Sequence, residues 1–277
     1  MNVSILYIAI GKYEVLWDEF YQSAKKHLFK SHQVHFYLFT DSARLLSLSY
    51  SDVKVISKPN YGWPGNTLYR FHFFKDIESD IKSDDYTFFF NANALFVRDI
   101  DNEILPDDYE DLVVATHFKA NKQHPLKWPY DRNKKSTAFV EFGSEGRVYA
   151  QACFIGAKTE EFIKCTNQLS NNIEIDDKNG VCALWHDESH FNNYIINKRI
   201  KILPYSYVYP EVLGLPGEIN ILMRSKERYA NLITLRGEKK GILKLSMKKI
   251  NNQKYKLWLQ YNYLMHKYFK KGNKNEL

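Results

Sequence analysis

The sequence predicts an α/β domain with parallel strands. Three observations carry that expectation: two apolar runs near the start that read as buried strands, an amphipathic helical pattern between them, and a phenylalanine-rich run that ends abruptly in two amides. Val3 to Ile10 is the first run, and Val34-His-Phe-Tyr-Leu-Phe39, closed by Thr40-Asp41, is the second. Between them Val15, Leu16, Phe20, Ala24 and Leu28 recur at helical spacing, which leaves one face of the segment apolar. Val53 to Ile56 is a short third strand, and Pro59 to Gly65, with Pro and Gly at its ends, reads as a loop. A helix is expected from Thr67 to about Ile81, leading into the strand before Asn91. Leu112 to Thr116 is another strand. From Lys119 to Gly146 the pattern dissolves into polar, charged and proline-containing sequence, and a loop of that length in a compact domain is usually a functional lid or binding loop. Val148 to Gly156 resumes as a strand, with helices expected over Thr159 to Asn171 and Trp185 to Asn197.

A chain of 277 residues suits one large domain with an extension, and 20 Tyr with 18 Phe serve aromatic packing and sugar stacking equally well. The three cysteines, Cys153, Cys165 and Cys182, have no CxxC spacing, so neither a disulfide framework nor a zinc knuckle is expected and a reducing cytoplasm is inferred. Met1 to Ile10 reads as a first strand, not as a signal peptide, and no apolar run is long enough to span a membrane. The net charge of +7 is uneven: 11 lysines against two glutamates from Gly237 to Leu277 put that stretch at +9 and leave residues 1–236 at −2. A basic face for nucleic acid is therefore not expected on the main domain. The division is accordingly a domain over 1–236 and a basic amphipathic extension over 237–277. Within 241–271 the lysines interleave with Leu257, Trp258, Tyr261, Leu264 and other apolar residues, which suits a membrane surface or packing on the domain.

Two constellations carry chemistry. The first is Tyr86-Thr-Phe-Phe-Phe-Asn91-Ala-Asn93. Ligands of α/β sheets lie at the carboxyl ends of the strands, so the two amides read either as part of a site or as a simple strand stop. The second is Trp185-His-Asp-Glu-Ser-His190, two His and two acids in five positions. It fits three readings: a helix start with Asp187 at the N-terminal dipole, carboxylate chemistry by Glu188 at a sugar carbon, or metal binding by His186 and His190 on one helix face. The zinc-peptidase pattern needs Glu directly after the first His, where this chain has Asp187.

Taken together, an Asn-x-Asn strand followed about 95 residues later by the His-Asp-Glu block resembles glycosyltransferase family 6, the family of the histo-blood-group A and B transferases and the α-1,3-galactosyltransferases. Animal members carry Asp-x-Asp on that strand, whereas bacterial members commonly carry Asn-x-Asn and work without metal; this chain looks like a bacterial one. The resemblance covers roughly residues 3–230. It implies a single GT-A-type, Rossmann-like domain with a mixed, mostly parallel sheet flanked by helices, plus a helical C-terminal extension. The implied reaction is the retaining transfer of galactose or N-acetylgalactosamine from a UDP-sugar to the 3-hydroxyl of an acceptor galactose, fucosylated or carried on a lipid, with no divalent metal and no other cofactor.

The resemblance also implies residue roles. Glu188 matches the catalytic glutamate beneath the anomeric carbon. On the donor side it implies Ala9, Ile10 and Tyr13 at uracil and ribose, Arg70 beside Trp63, and Asn91, Ala92 and Asn93 as hydrogen-bonding groups instead of metal ligands. Asp187 and His186 would hold the donor sugar, and Gln151-Ala152-Cys153 would select it. Lys226, then Arg228, would meet the diphosphate charge. On the acceptor side it implies Trp185, His117 and Glu211, the last shifted by one position from the family's Asp. Family members with Gly in the selecting triplet admit the N-acetyl group and those with Ala tend to prefer galactose; Cys153 is larger than either, which tilts the donor modestly to galactose. The competing readings are a zinc-dependent hydrolase using His186 and His190, and a non-catalytic glycan-binding module. The implied location is the cytoplasm, peripheral at the inner face of the membrane.

Overall fold

The structure, a computed structural model, describes residues 1–214, 217–229, 257, 260–261 and 263–265. Ten strands are described: β1 (Asn2–Ala9), β2 (Gln33–Thr40), β3 (Val53–Ser57), β4 (Tyr86–Phe90), β5 (Ala94–Phe96), β6 (Leu112–Thr116), β7 (Ala150–Lys158), β8 (Ile200–Leu203), β9 (Tyr209–Pro210) and β10 (Ile221–Met223). Seven of them form one sheet in the order β3-β2-β1-β4-β7-β6-β8. Only β7 runs against its neighbours, so the sheet is mixed and mostly parallel, as expected. A small sheet, β5-β10-β9, joins the segment after β4 to the end of the domain.

Helices cover both faces of the large sheet, and this explains the unbroken apolar runs. Phe88 and Phe90 enter one core with Trp17, Phe20 and Ala24 of helix α1 (Trp17–His27). Phe89, between them, enters the opposite core with Phe71 and Phe74 and with Phe162 and Leu169 of a long later helix. Successive strand residues point to opposite faces, so a strand buried on both sides needs apolar residues at every position. Gly156 of β7 is fixed by the same packing: a Cβ there would come within 2.1 Å of the Phe88 ring.

Three expectations are corrected. The helix expected from Thr67 to Ile81 is broken into α3 (Gly62–Leu68), α4 (Arg70–Lys75) and α5 (Glu78–Ile81), following the short α2 (Ala43–Leu46). The backbone leaves helical values at Tyr69 (ψ 17) and at Ile77 (ψ 15), which a periodicity argument does not detect. The loop expected over Pro59 to Gly65 runs into α3, whose backbone is still extended at Trp63 (φ −90, ψ 133) and becomes helical from Pro64, where a missing N–H has no partner to lose. The helix expected to end at Asn171 continues as α6 (Thr159–Lys178), and the next, α7, runs Asp187–Tyr194.

Lys119 to Gly146 is irregular, as expected, but it is packed down, with Ala120, Trp128, Tyr130 and Val140 forming a small core with Tyr149. Asp176, near the end of α6, accepts from the Ser136 hydroxyl and the Thr137 N–H and holds this segment to the domain. Most of the expected extension over 237–277, including most of 241–271, lies outside the described residues.

Candidate active site

Because β7 is reversed, its beginning lies at the same edge of the sheet as the ends of β1 and β4. That edge therefore gathers Ile10, Asn91 and Gln151-Ala152-Cys153, and the N-terminus of α7 brings Asp187 and Glu188 onto it. Two side-chain devices fix α7 there. The Ser189 hydroxyl accepts from the Trp185 N–H at 2.9 Å. Asn192, one turn after Glu188, accepts from the Ala150 N–H at 2.8 Å and donates to the Ala150 carbonyl at 2.9 Å, pairing with the strand as a backbone would. His186, just before α7, has φ 55, a left-handed value uncommon for a non-glycine residue.

Glu188 is half-buried, and both of its oxygens are held: the Tyr149 hydroxyl donates to Oε1 at 3.3 Å and the Ala152 N–H to Oε2 at 3.2 Å. Burial, and secondarily the neighbouring Asp187 charge, push its pKa up to about 7. Asp187 is buried, with the Arg70 guanidinium 2.8 Å from its Oδ2. Burial pushes its pKa up to about 6 against the opposing pull of Arg70. Arg70 itself donates to the Ala152 carbonyl at 2.6 Å and lies over the Phe89 ring at 4.7 Å. The two carboxylates, Arg70 and the start of β7 thus form one connected group.

Arg70 also lines a pocket with Ile8, Ile10, Tyr13, Asn66, Thr67, Phe89, Asn91, Ala92 and Lys226. Six residues expected on the donor side, Ile10, Tyr13, Arg70, Asn91, Ala92 and Lys226, meet there. The Lys226 ammonium lies 5.2 Å from the Tyr13 ring centroid, a cation–π distance. Among the described residues no Asp or Glu lines this pocket. Asn93 lies behind it: Asn91 Nδ2 donates to Asn93 Oδ1 at 2.9 Å, and Asn93 Nδ2 donates to the Arg224 carbonyl at 2.8 Å. This amide relay ties the end of β4 to the segment that carries Lys226.

The remaining expected residues are placed as follows. Ala9 is fully buried, and its carbonyl accepts from the Thr40 hydroxyl. Arg228 reaches Glu211 at 2.7 Å, and Glu211 also accepts from the Ser225 N–H at 2.7 Å, so this pair braces the loop holding Lys226 and neither lines the pocket. Gln151 Oε1 is buried and has no hydrogen-bond donor among the described residues, and burial pushes the Cys153 thiol up to about 12. His117 stands edge to face with Tyr149 at 6.0 Å, and Trp185 is 42% exposed, leaving an aromatic face open beside Glu188. His186 meets the Cys182 thiol and the Trp63 ring, whereas His190 is buried against Thr137 and Asp176. Among the described residues no group of three His, Cys, Asp or Glu is placed to hold a metal ion.

Three residues without an expected role prove central: Tyr149, Asn192 and Arg224. Arg224 is buried and donates to the carbonyls of Leu16, Ala92, Asn93 and Ala94 and to Glu19. It locks the segment after β10 under the end of β4. Asn192 could have been found from its position one turn after Glu188, and Tyr149 from its place beside Gln151-Ala152-Cys153. Arg224 offered no such signal.

Comparison with known proteins agrees with this arrangement. The family model described as Glycosyltransferase family 6 matches residues 1–235. The O-antigen biosynthesis glycosyltransferase WbnI of Escherichia coli is 34% identical over 236 residues, covering 84% of this chain and 99% of that protein. The human globoside alpha-1,3-N-acetylgalactosaminyltransferase 1 is 27% identical over 233 residues, covering 80% of this chain and 65% of that protein. The rat histo-blood group ABO system transferase 1 is 27% identical over 231 residues, covering 78% of this chain and 63% of that protein. The match thus takes in nearly all of the bacterial relative and just under two thirds of these two animal ones. On the family model, these relatives and the GT-A-like α/β sheet, the chain belongs to glycosyltransferase family 6.

Proposed function

We propose that this glycosyltransferase moves galactose or N-acetylgalactosamine from a UDP donor to the 3-hydroxyl of an acceptor galactose, with retention of the α configuration and without a divalent metal. One observation carries the reading: Glu188, held on both oxygens, adjoins a pocket whose polar lining, among the described residues, is amide, hydroxyl and cation without a carboxylate. The names of the relatives, an O-antigen enzyme and two transferases of blood-group and globoside type, support the acceptor class.

In this reading the donor sugar lies over Glu188, whose ionised carboxylate either attacks the anomeric carbon or stabilises its positive charge as the bond to the diphosphate breaks. Asp187, fixed by Arg70, accepts hydrogen bonds from the sugar hydroxyls. The acceptor arrives on the side of Trp185 and His117, its 3-oxygen forms the new bond from the face the diphosphate leaves, and its proton goes to the departing phosphate oxygen. Charge developing on UDP is met by Lys226 and Arg70. A unit pair about 4 Å apart contributes roughly 4 kcal/mol at an effective dielectric near 20, so two such cations can stand in for a metal. Neutral amides are poor primary ligands for a hard cation, and the amide of Asn93 is already committed to Arg224. The acceptor is proposed to be lipid-linked, with residues 241–271 resting on the anionic inner face of the membrane. Leu257, Tyr261, Leu264 and Met265 are exposed there, and among the described residues no helix is long and apolar enough to cross a bilayer.

The test is turnover of UDP-galactose and UDP-N-acetylgalactosamine with a fucosylated galactose acceptor in excess EDTA. Transfer at an undiminished rate with an α-1,3 product is expected. Loss of activity in EDTA, restored by manganese or magnesium, would refute metal independence, and a β-linked product would refute retention.

A further inference from the structure

The geometry points to Tyr149 as the positioning residue that aims the Glu188 carboxylate and keeps it ionised, an inference that rests on Glu188 being the catalytic group. The tyrosine is fully buried, and its ring is set edge to face against Tyr130 at 5.4 Å and His117 at 6.0 Å. Its backbone is held from both sides by Asn121, which accepts from the Tyr149 N–H at 3.1 Å and donates to its carbonyl at 2.7 Å. Ring and backbone are therefore fixed without help from the hydroxyl, and a phenylalanine would fill the same space. The hydroxyl instead faces the site, 3.3 Å from Glu188 Oε1 and 3.4 Å from the Pro129 carbonyl.

A buried hydroxyl carries one proton and stays only where it can donate it. When Glu188 is ionised the carboxylate is the stronger acceptor, and the bond to it is charge-assisted. When Glu188 is protonated that advantage is lost, and the Pro129 carbonyl competes on equal terms. The hydroxyl thus favours the ionised carboxylate. Together with the Ala152 N–H on Oε2, it also fixes the carboxylate plane, since Tyr149 directly precedes β7 and Ala152 lies near its start. Pro129 lies in the 119–146 segment, so the same hydroxyl links that segment to the reacting group.

The test compares Tyr149→Phe with the native chain and with Glu188→Gln in initial-rate pH profiles of transfer, with unfolding temperatures measured alongside. Tyr149→Phe is expected to lower kcat at neutral pH by about 10- to 30-fold, the scale of one hydrogen bond to a charged group. The KM values should hold within about twofold while the acid limb of the profile moves up by about one pH unit. Replacing Tyr149 with 3-fluorotyrosine, a stronger donor in the same shape, should move the limb down, and this arm decides the matter if Tyr149→Phe folds poorly. A merely structural role would lower the unfolding temperature and leave the limb in place, which would overturn the inference. If Glu188→Gln retains full activity, the catalytic reading of Glu188 itself fails; if Glu188→Gln is inert and both Tyr149 replacements keep the native profile, the positioning role alone fails.

Discussion

Replacing Glu188 by Gln should abolish transfer and at the same time stabilise the protein, by an amount that depends on pH. The native carboxyl group is raised from its ordinary 4.5 to about 7, so the folded state holds the proton more tightly than the unfolded chain. Below the ordinary value both states are protonated and the group is neutral to stability. As pH rises through 4.5 the unfolded chain ionises first, and the folded state loses relative stability until the folded carboxyl ionises near 7. At 1.36 kcal/mol per unit the full shift corresponds to about 3 kcal/mol, and half-burial with solvent screening reduces this to about 2 kcal/mol. Glutamine keeps the shape and can still accept from the Ala152 N–H, so little else is lost. Without donor, the variant should match the native chain at about pH 4.5 and unfold about 4–8 °C higher at about pH 8. Thermal unfolding of the full chain across this range, paired with transfer assays, checks both halves. Equal unfolding temperatures at alkaline pH would refute the argument that the site holds a desolvated carboxylate, and transfer within about tenfold of native would refute its place in the chemistry.

Lys226→Ala should reduce kcat about 100-fold, roughly 2.7 kcal/mol, with a smaller change in donor KM, because the charge it meets develops as the diphosphate leaves. Lys226→Arg should restore a large part of the rate, and a full rate in the alanine variant would remove Lys226 from the donor site. Arg224→Met should cost about 3–5 kcal/mol of stability by stripping buried carbonyls and Glu19 of their partner. Denaturant unfolding measures it, and a loss under about 1 kcal/mol would show that these groups find other partners.

Much of the fold was legible because strands buried on both faces announce themselves as unbroken apolar runs, as in Ile5 to Tyr7 and Phe88 to Phe90. β8 and β10, four and three residues long, went unread, although the Ile-Lys-Ile-Leu of β8 repeats the Val-Lys-Val-Ile pattern by which β3 was read. The reversal of β7 also lay beyond the sequence, since strand direction depends on how the long 119–146 excursion returns to the sheet. In the site, Glu188, Arg70, Asn91 and Lys226 could be placed by motif and spacing. Tyr149, Asn192 and Arg224 act on backbone or side-chain groups that folding brings near them, from 39 residues away for Tyr149 to 208 for one Arg224 bond. For the long-range bonds of Arg224 no local pattern encodes the pairing.

The relay from Asn91 through Asn93 to Arg224 restricts how this lineage can change. Asparagine and aspartate differ by a single nucleotide in their codons, so an aspartate on this strand looks easily accessible by mutation. Yet aspartate at position 93 could not donate to the Arg224 carbonyl, and its charge would stand against a carbonyl oxygen in a buried place. That substitution would loosen the segment that carries Lys226. A carboxylate at position 93 therefore requires the strand end and the C-terminal segment to change together, and the paired amides are held in place by their own scaffold.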